Sequence, residues 1–219
     1  MEKSIESIWK EGFMDADALV APRVNKLYSK KSTHIIEKFK RMFKMNLILI
    51  VIGSLVVLTA SFLVGLPYMG ILLFIGLNIL FLLNIKFLKS LKNIDNSKSS
   101  YDYLMSFDQW LKNQISVNRR FSRLFYPYIF MALFLGFWMK NVEGKHLGKY
   151  AVEKLLQTYP DLYSIAGIPL VILLSVLCML ILLYLVGGKI YEWDFNIVYG
   201  RIKAKLDDMV NDIQALRAD

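Results

Sequence analysis

The sequence predicts an all-α polytopic membrane protein: four transmembrane helices with cytoplasmic helical extensions. Three observations predict it. Hydrophobic residues make up 56% of the 219, above the roughly 45–50% usual for soluble domains, and the excess lies in four separate runs. Between the runs, apolar residues recur at spacings of three and four, the period of a helix. Basic residues are distributed unevenly, with 23 of the 27 on one side of a four-span layout.

Residues 1–44 read as a cytoplasmic N-terminal segment. Ile5, Ile8 and Trp9 share one face of a short helix over 2–12, which Gly12 ends. Asp15, Asp17 and Pro22 interrupt the pattern, and residues 22–28 suit another short turn of helix. Fewer than about 40 residues rarely fold unaided, so these pieces must dock on the chain's own helices, a second copy or a partner. Ile5, Ile8, Trp9, Leu27 and Tyr28 are the candidate partner-binding residues. Acidic residues are interspersed and no long apolar run occurs, so the segment does not read as a signal peptide.

Ser32 or Thr33 then offers an N-cap to a basic amphipathic helix. Ile35, Ile36, Phe39, Met42 and Phe43 lie on one side, Lys38, Lys40, Arg41 and Lys44 on much of the other. The segment suits a juxtamembrane helix lying in the lipid interface; recognition of acidic lipid or an acidic partner is the functional alternative. Nothing interrupts the helix before the first span.

Residues 45–85 form a transmembrane hairpin. Spans 45–64 and 68–85 are joined by the tight uncharged turn Gly65-Leu66-Pro67. Residues 86–123 form a cytoplasmic helical hairpin. The second span projects about two turns beyond Lys86, and the chain reverses over 93–100. Ser99 with Asp102 resembles a capping box. Leu104, Phe107, Leu111 and Ile115 make a helical stripe thickened by Tyr103 and Trp110. Arg119, Arg120 and Arg123 close the segment and join Lys38, Lys40, Arg41 and Lys44 as candidate lipid-interface residues.

Residues 124–188 hold spans three and four with an extracytoplasmic loop, 140–164. Span three, 124–139, is short, with Pro127 placed to kink it and Tyr126, Tyr128 and Trp138 as interfacial anchors. In the loop, Tyr150, Val152, Leu155 and Leu156 suit a surface helix that Tyr159-Pro160 stops. Span four, 165–186, is 22 residues without a charge, long enough to cross a hydrocarbon core of roughly 30 Å. Gly187, Gly188 and Lys189 mark its exit. Residues 189–219 form a cytoplasmic amphipathic helix. Following Phe195, the residues Tyr199, Ile202, Leu206, Met209, Ile213 and Leu216 alternate spacings of four and three in a heptad-like stripe. Either packing on the 104–115 helix or self-association covers that stripe.

Lys and Arg number 10 in 1–44, 8 in 86–123, 5 in 189–219 and 4 in 140–164. The positive-inside rule then places both termini in the cytoplasm of a cell inner membrane. The net charge of +9 is explained by the same flanking residues; no recognition motif points to nucleic acid.

The span interiors contain no Asp, Glu, Lys, Arg or His, groups that proton- and ion-coupled transporters place near the midplane. Asn78, the deepest amide, reads as a helix-packing residue. His34 and His146 fall on opposite sides of the membrane, so they share neither a metal nor a triad. Phosphate-binding glycine loops, HExxH and GxSxG are all absent. Asp207 and Asp208 diverge by about 100° on a helix. Cys178 sits among leucines, where a thiol stays inert. The chain is thus expected to be no enzyme and to hold no cofactor or metal.

Several phrases together carry a resemblance: Trp9 followed by Pro22-Arg-Val-Asn-Lys-Leu-Tyr28 and Lys31-Ser32; Tyr103-Leu104 with Phe107-Asp108-Gln-Trp-Leu-Lys112; Tyr126-Pro127; and Tyr199-Gly200-Arg201-Ile202. The chain resembles small, uncharacterised four-span membrane proteins of Bacteroidota. That family is associated with extracytoplasmic-function sigma factors, so the resemblance implies a membrane-anchored partner or anti-sigma-like regulator. The sequence departs from zinc-type anti-sigma domains in lacking their His and paired Cys.

The functional expectation is a regulatory or interaction protein whose cytoplasmic helices bind a cytosolic or membrane protein partner. Apolar stripes on those helices need a cover. The alternatives are a structural subunit of a larger membrane complex and a homo-oligomeric channel or transporter.

Overall fold

A computed structural model describes the backbone of residues 5–94, 100–142 and 144–218, and the side chains of 32–94, 102–142 and 144–211. The fold is all-α. Its five helices are α1 (Ile5–Leu63), α2 (Pro67–Lys92), α3 (Ser100–Trp138), α4 (Leu147–Thr158) and α5 (Leu170–Ala218). All but α4 contain a stretch long and apolar enough to cross a bilayer, which makes this a multi-pass membrane protein. Each of the four carries its span and a polar-side extension as one helix. Those extensions gather into a head at one end, and α4 sits at the other.

Continuity of α1 corrects two expectations. Gly12 does not end a helix and residues 22–28 are not a separate turn, because the backbone is helical from Ile5 onward. One internal glycine costs only about 1 kcal/mol, which a growing helix absorbs. The basic amphipathic stretch does not lie flat in the interface either. It runs straight into the first span, and its apolar side is buried inside the head.

The α1–α2 turn closes as a Schellman motif. Gly65 takes φ +76°, its N–H reaches Phe62 O at 3.2 Å, and the Leu66 N–H reaches Ser61 O at 2.7 Å. Pro67 then opens α2 where no amide donor is needed. At the head end, α2 closes at Asn93, whose N–H donates to Ser90 O at 3.1 Å. Ser99, the expected cap of α3, lies outside the described residues. Pro127 is carried inside α3.

The loop opposite the head has more structure than its sequence suggested. Two minimal antiparallel ladders flank α4: β1 (Asn141–Val142) with β2 (Lys145–His146), and β3 (Ser164–Ile165) with β4 (Ile168–Pro169). Ala166 and Gly167 turn the second at φ 52° and 78°, the left-handed pair that a two-residue hairpin needs. Span four therefore starts at Leu170 rather than Ile165. As expected, α4 is capped at Tyr159.

Laterally, α3 is the hub, packed on α5 on one side and α2 on the other, with α1 completing the row against α2. Glycines set the close approaches. A Cβ at Gly187 would meet Ser122 O at 2.9 Å and Arg123 Cα at 3.2 Å, and one at Gly188 would meet Arg119 Cγ at 3.1 Å. These glycines, expected to mark the membrane exit, are continuous helix and are buried against α3. Gly76 likewise admits the Tyr128 ring, and Gly136 admits Met69.

Candidate functional site

The head is a four-helix core. Ile35, Ile36, Phe39, Phe43 and Leu47 of α1 meet Leu91 of α2, Tyr103, Leu104, Phe107 and Leu111 of α3, and Phe195, Tyr199, Ile202, Leu206 and Met209 of α5. Phe39 is the centre. Its ring lies 5.4 Å from Phe107 and 5.9 Å from Trp110, both edge-on, and 5.0 Å from Tyr199. Such pairs add about 0.5–1.5 kcal/mol each beyond burial. Trp110 donates its indole N–H to Ser90 Oγ at 2.9 Å, which ties α3 to α2.

Phe195 to Met209 of the heptad-like stripe are thus covered by the chain's own α1 and α3. Tyr199, Ile202, Leu206 and Met209 pack within the head. The side chains of Ile213 and Leu216 lie outside the described residues, as do those of Ile5, Ile8, Trp9, Leu27 and Tyr28.

A polar layer separates the head from the apolar half. Asn84 Nδ2 donates to Asn118 Oδ1 at 3.2 Å, and Asn118 Nδ2 donates to Gln114 O at 3.0 Å. Deeper in the apolar half, Asn78 Nδ2 donates to Phe74 O at 2.8 Å and reaches Ser54 Oγ at 3.4 Å. These amides sew α1, α2 and α3 together. Gln114 Oε1 and the Tyr199 hydroxyl are buried without a hydrogen bond. Burial pushes the Tyr199 phenol up to about 12, and the neighbouring Asn46 amide acts the other way without closing a bond.

At the same level α3 is clasped to α5. Tyr126 donates to Asp194 Oδ2 at 2.6 Å, and Arg119 pairs with Glu192 at 2.8 Å. Arg120, Arg123, Lys38, Arg41 and Lys44 are exposed, and Lys40 is half-buried. Lys38 stands six residues above Lys44, about 9 Å farther along α1 from the apolar belt. The candidate lipid-interface set thus spans two levels.

Neither the polar layer nor the clasp was legible in sequence, because each joins residues more than 30 positions apart. No family model, curated protein or solved structure matches this chain.

Two kinds of surface remain. Trp193, 67% exposed, and Ile197, 65% exposed, form an i, i+4 pair on the head's α5, with Val198 beside them. In the apolar half, α5 touches its neighbours along one seam. Ile172, Val176, Leu180 and Leu183 are half-buried, while Leu174, Leu177, Leu182 and Leu185 around them are exposed. Among the described residues, no three His, Cys, Asp or Glu side chains gather where they would hold a metal.

Proposed function

We propose that the protein is a membrane-anchored interaction protein with regulatory character, whose cytoplasmic head presents a docking ridge to a protein partner. One observation carries this reading: among the described residues, the Trp193–Ile197–Val198 ridge is exposed on a head whose α1, α3 and α5 stripes pack inward. Exposed aromatic and aliphatic anchors on a rigid frame are what an interface core uses. The ridge is the motive for a partner, since the described stripes of α1, α3 and α5 cover one another.

The head lies in the cytoplasm of an inner membrane on this reading. Support comes from the basic residues flanking the spans on the head side, Lys44, Lys86, Arg119, Arg120, Arg123 and Lys189 among them. The resemblance to four-span Bacteroidota proteins makes a sigma factor the partner class to test first, bound without zinc.

The test is mild detergent extraction of the full chain from its native membrane, followed by intact-assembly mass measurement. A defined cytosolic subunit lost from Trp193→Glu/Ile197→Glu supports the reading; an unchanged assembly mass in that variant refutes it. A second reading, a structural subunit of a larger membrane complex, is favoured by the single seam of α5. It predicts a foreign membrane subunit that survives the head substitutions.

A further inference from the structure

Between α2 and α3, just below the polar layer, lies an apolar slot of about 240 Å³ lined by Gly76, Ile79, Phe121, Leu124, Phe125 and Tyr128. Its back wall is built rather than accidental. The Tyr128 hydroxyl donates to Leu72 O at 2.6 Å, and the ring lies over Gly76, where a side chain would displace it. The rim residues Leu124 and Ile79 are exposed, so the slot opens sideways, toward lipid.

Two cations stand on the head side of this opening. Arg120 lies four residues from Leu124 and Lys86 seven from Ile79, spacings that keep each on the same helix face as its rim residue. Both are exposed, and among the described residues neither makes an ion pair. Arg119, one position away, is neutralised by Glu192. An apolar slot capped by two unpaired cations at the surface of a bilayer is complementary to one class of molecule.

We infer that the α2–α3 slot holds an anionic diacyl phospholipid, with an acyl chain against Tyr128 and Phe125 and the phosphate between Lys86 and Arg120. The site is independent of the partner reading above. It extends the basic set read from sequence, which contains Arg120 but omits Lys86.

The experiment is native mass spectrometry of the full chain released from nanodiscs of equal phosphatidylglycerol and phosphatidylcholine. A retained phosphatidylglycerol adduct is expected. Lys86→Gln/Arg120→Gln reduces its retention about tenfold or more, given roughly 1 kcal/mol per surface cation. Leu124→Trp, at an exposed rim position, fills the slot and abolishes the adduct. Lys38→Gln/Arg41→Gln leaves it intact, and added inorganic phosphate does not compete. Size exclusion confirms that each variant stays folded. Equal retention of both lipids, an adduct unchanged by either slot variant, or a second copy of the chain in place of the lipid overturns the assignment.

Discussion

The Tyr126 hydroxyl and the Asp194 carboxylate meet at 2.6 Å across α3 and α5, 68 positions apart in the chain. Beside this clasp, Gly187 lets the helices approach so closely that a Cβ there would meet Ser122 O at 2.9 Å. Clasp and close approach share one level, where α5 passes from the apolar half into the head. Tyr126→Phe should therefore loosen the α3–α5 pair at that level. A loss of about 0.5–1.5 kcal/mol, the net contribution of one hydrogen bond, is expected, because Asp194 is exposed and water takes the place of the lost donor. Thermal unfolding in detergent, followed by size exclusion, measures it.

Gly187→Val tests the close approach itself. Its Cβ meets backbone atoms of α3, which cannot rotate away, so about 1–3 kcal/mol of destabilisation follows from overpacking. Gly53→Ala is the control. A Cβ at Gly53 meets nothing within 4 Å, and alanine is the better helix former, so this variant should be neutral or slightly more stable.

Phe39 touches rings from α3 and α5 as well as Phe43 on its own helix. Phe39→Ala should cost about 3–5 kcal/mol and open the head while the lipid-facing spans remain helical. Limited proteolysis should cut 32–47 and 102–118 in the variant and spare 170–186.

Tyr199 gives the opposite sign. Its ring fills the core, but its hydroxyl is buried without a hydrogen bond. Tyr199→Phe removes an unsatisfied group and keeps the packing, so stability should be unchanged or rise by up to about 1 kcal/mol. A marked loss of stability would show that the hydroxyl has a partner.

Asn84 donates to Asn118 across α2 and α3, while the Asn118 amide donates back along its own helix to Gln114 O. Asn118→Leu alone leaves one of the two Asn84 amide N–H donors buried without an acceptor, the other still bonded to Leu80 O at 2.9 Å, at a cost of about 1–3 kcal/mol. The double variant Asn84→Leu/Asn118→Leu should recover most of that loss. A thermodynamic cycle over the four proteins measures the coupling.

Opposite the head, Lys145 binds Glu153 at 2.8 Å. That hydrogen bond, with the charges of Lys145 and Lys149, holds the Glu153 carboxyl below its usual 4.5. A lowered folded-state value means a contribution that is present above the ordinary value and lost as pH falls through the lowered one. The pair is exposed, so the effect is small and local. Protection factors of the α4 amides, corrected for intrinsic exchange, should fall below pH 4.5 in the parent, and Glu153→Gln should already show lower protection at neutral pH.

Much of the architecture was legible because it depends on local composition. Runs of uncharged residues long enough to cross a bilayer, and apolar spacings of three and four, need no knowledge of neighbours. Four spans, the tight 65–67 turn, the two-turn extension of α2 and the loop helix α4 all followed from them. Helix continuity was less legible. Gly12 read as a stop and Ile165 as a start, yet a glycine within a long helix is cheap, and Ala166-Gly167 with Pro169 turns the chain before span four begins.

What the tertiary structure alone decided is which side chains face one another. Sequence placed Phe39, Phe107, Trp110 and Tyr199 on apolar stripes; only the packing of α1, α3 and α5 makes Phe39 their common contact. It placed Gly187 and Gly188 at a membrane boundary; only the approach of α3 shows why a side chain there would be excluded. Helical period and hydropathy are properties of one segment, so the chain by itself determined the spans and their amphipathic faces. Pairings such as Tyr126 with Asp194, and the slot behind Tyr128, depend on the relative rotation of two helices. That rotation is set by the summed packing of the whole bundle and is written in no single stretch.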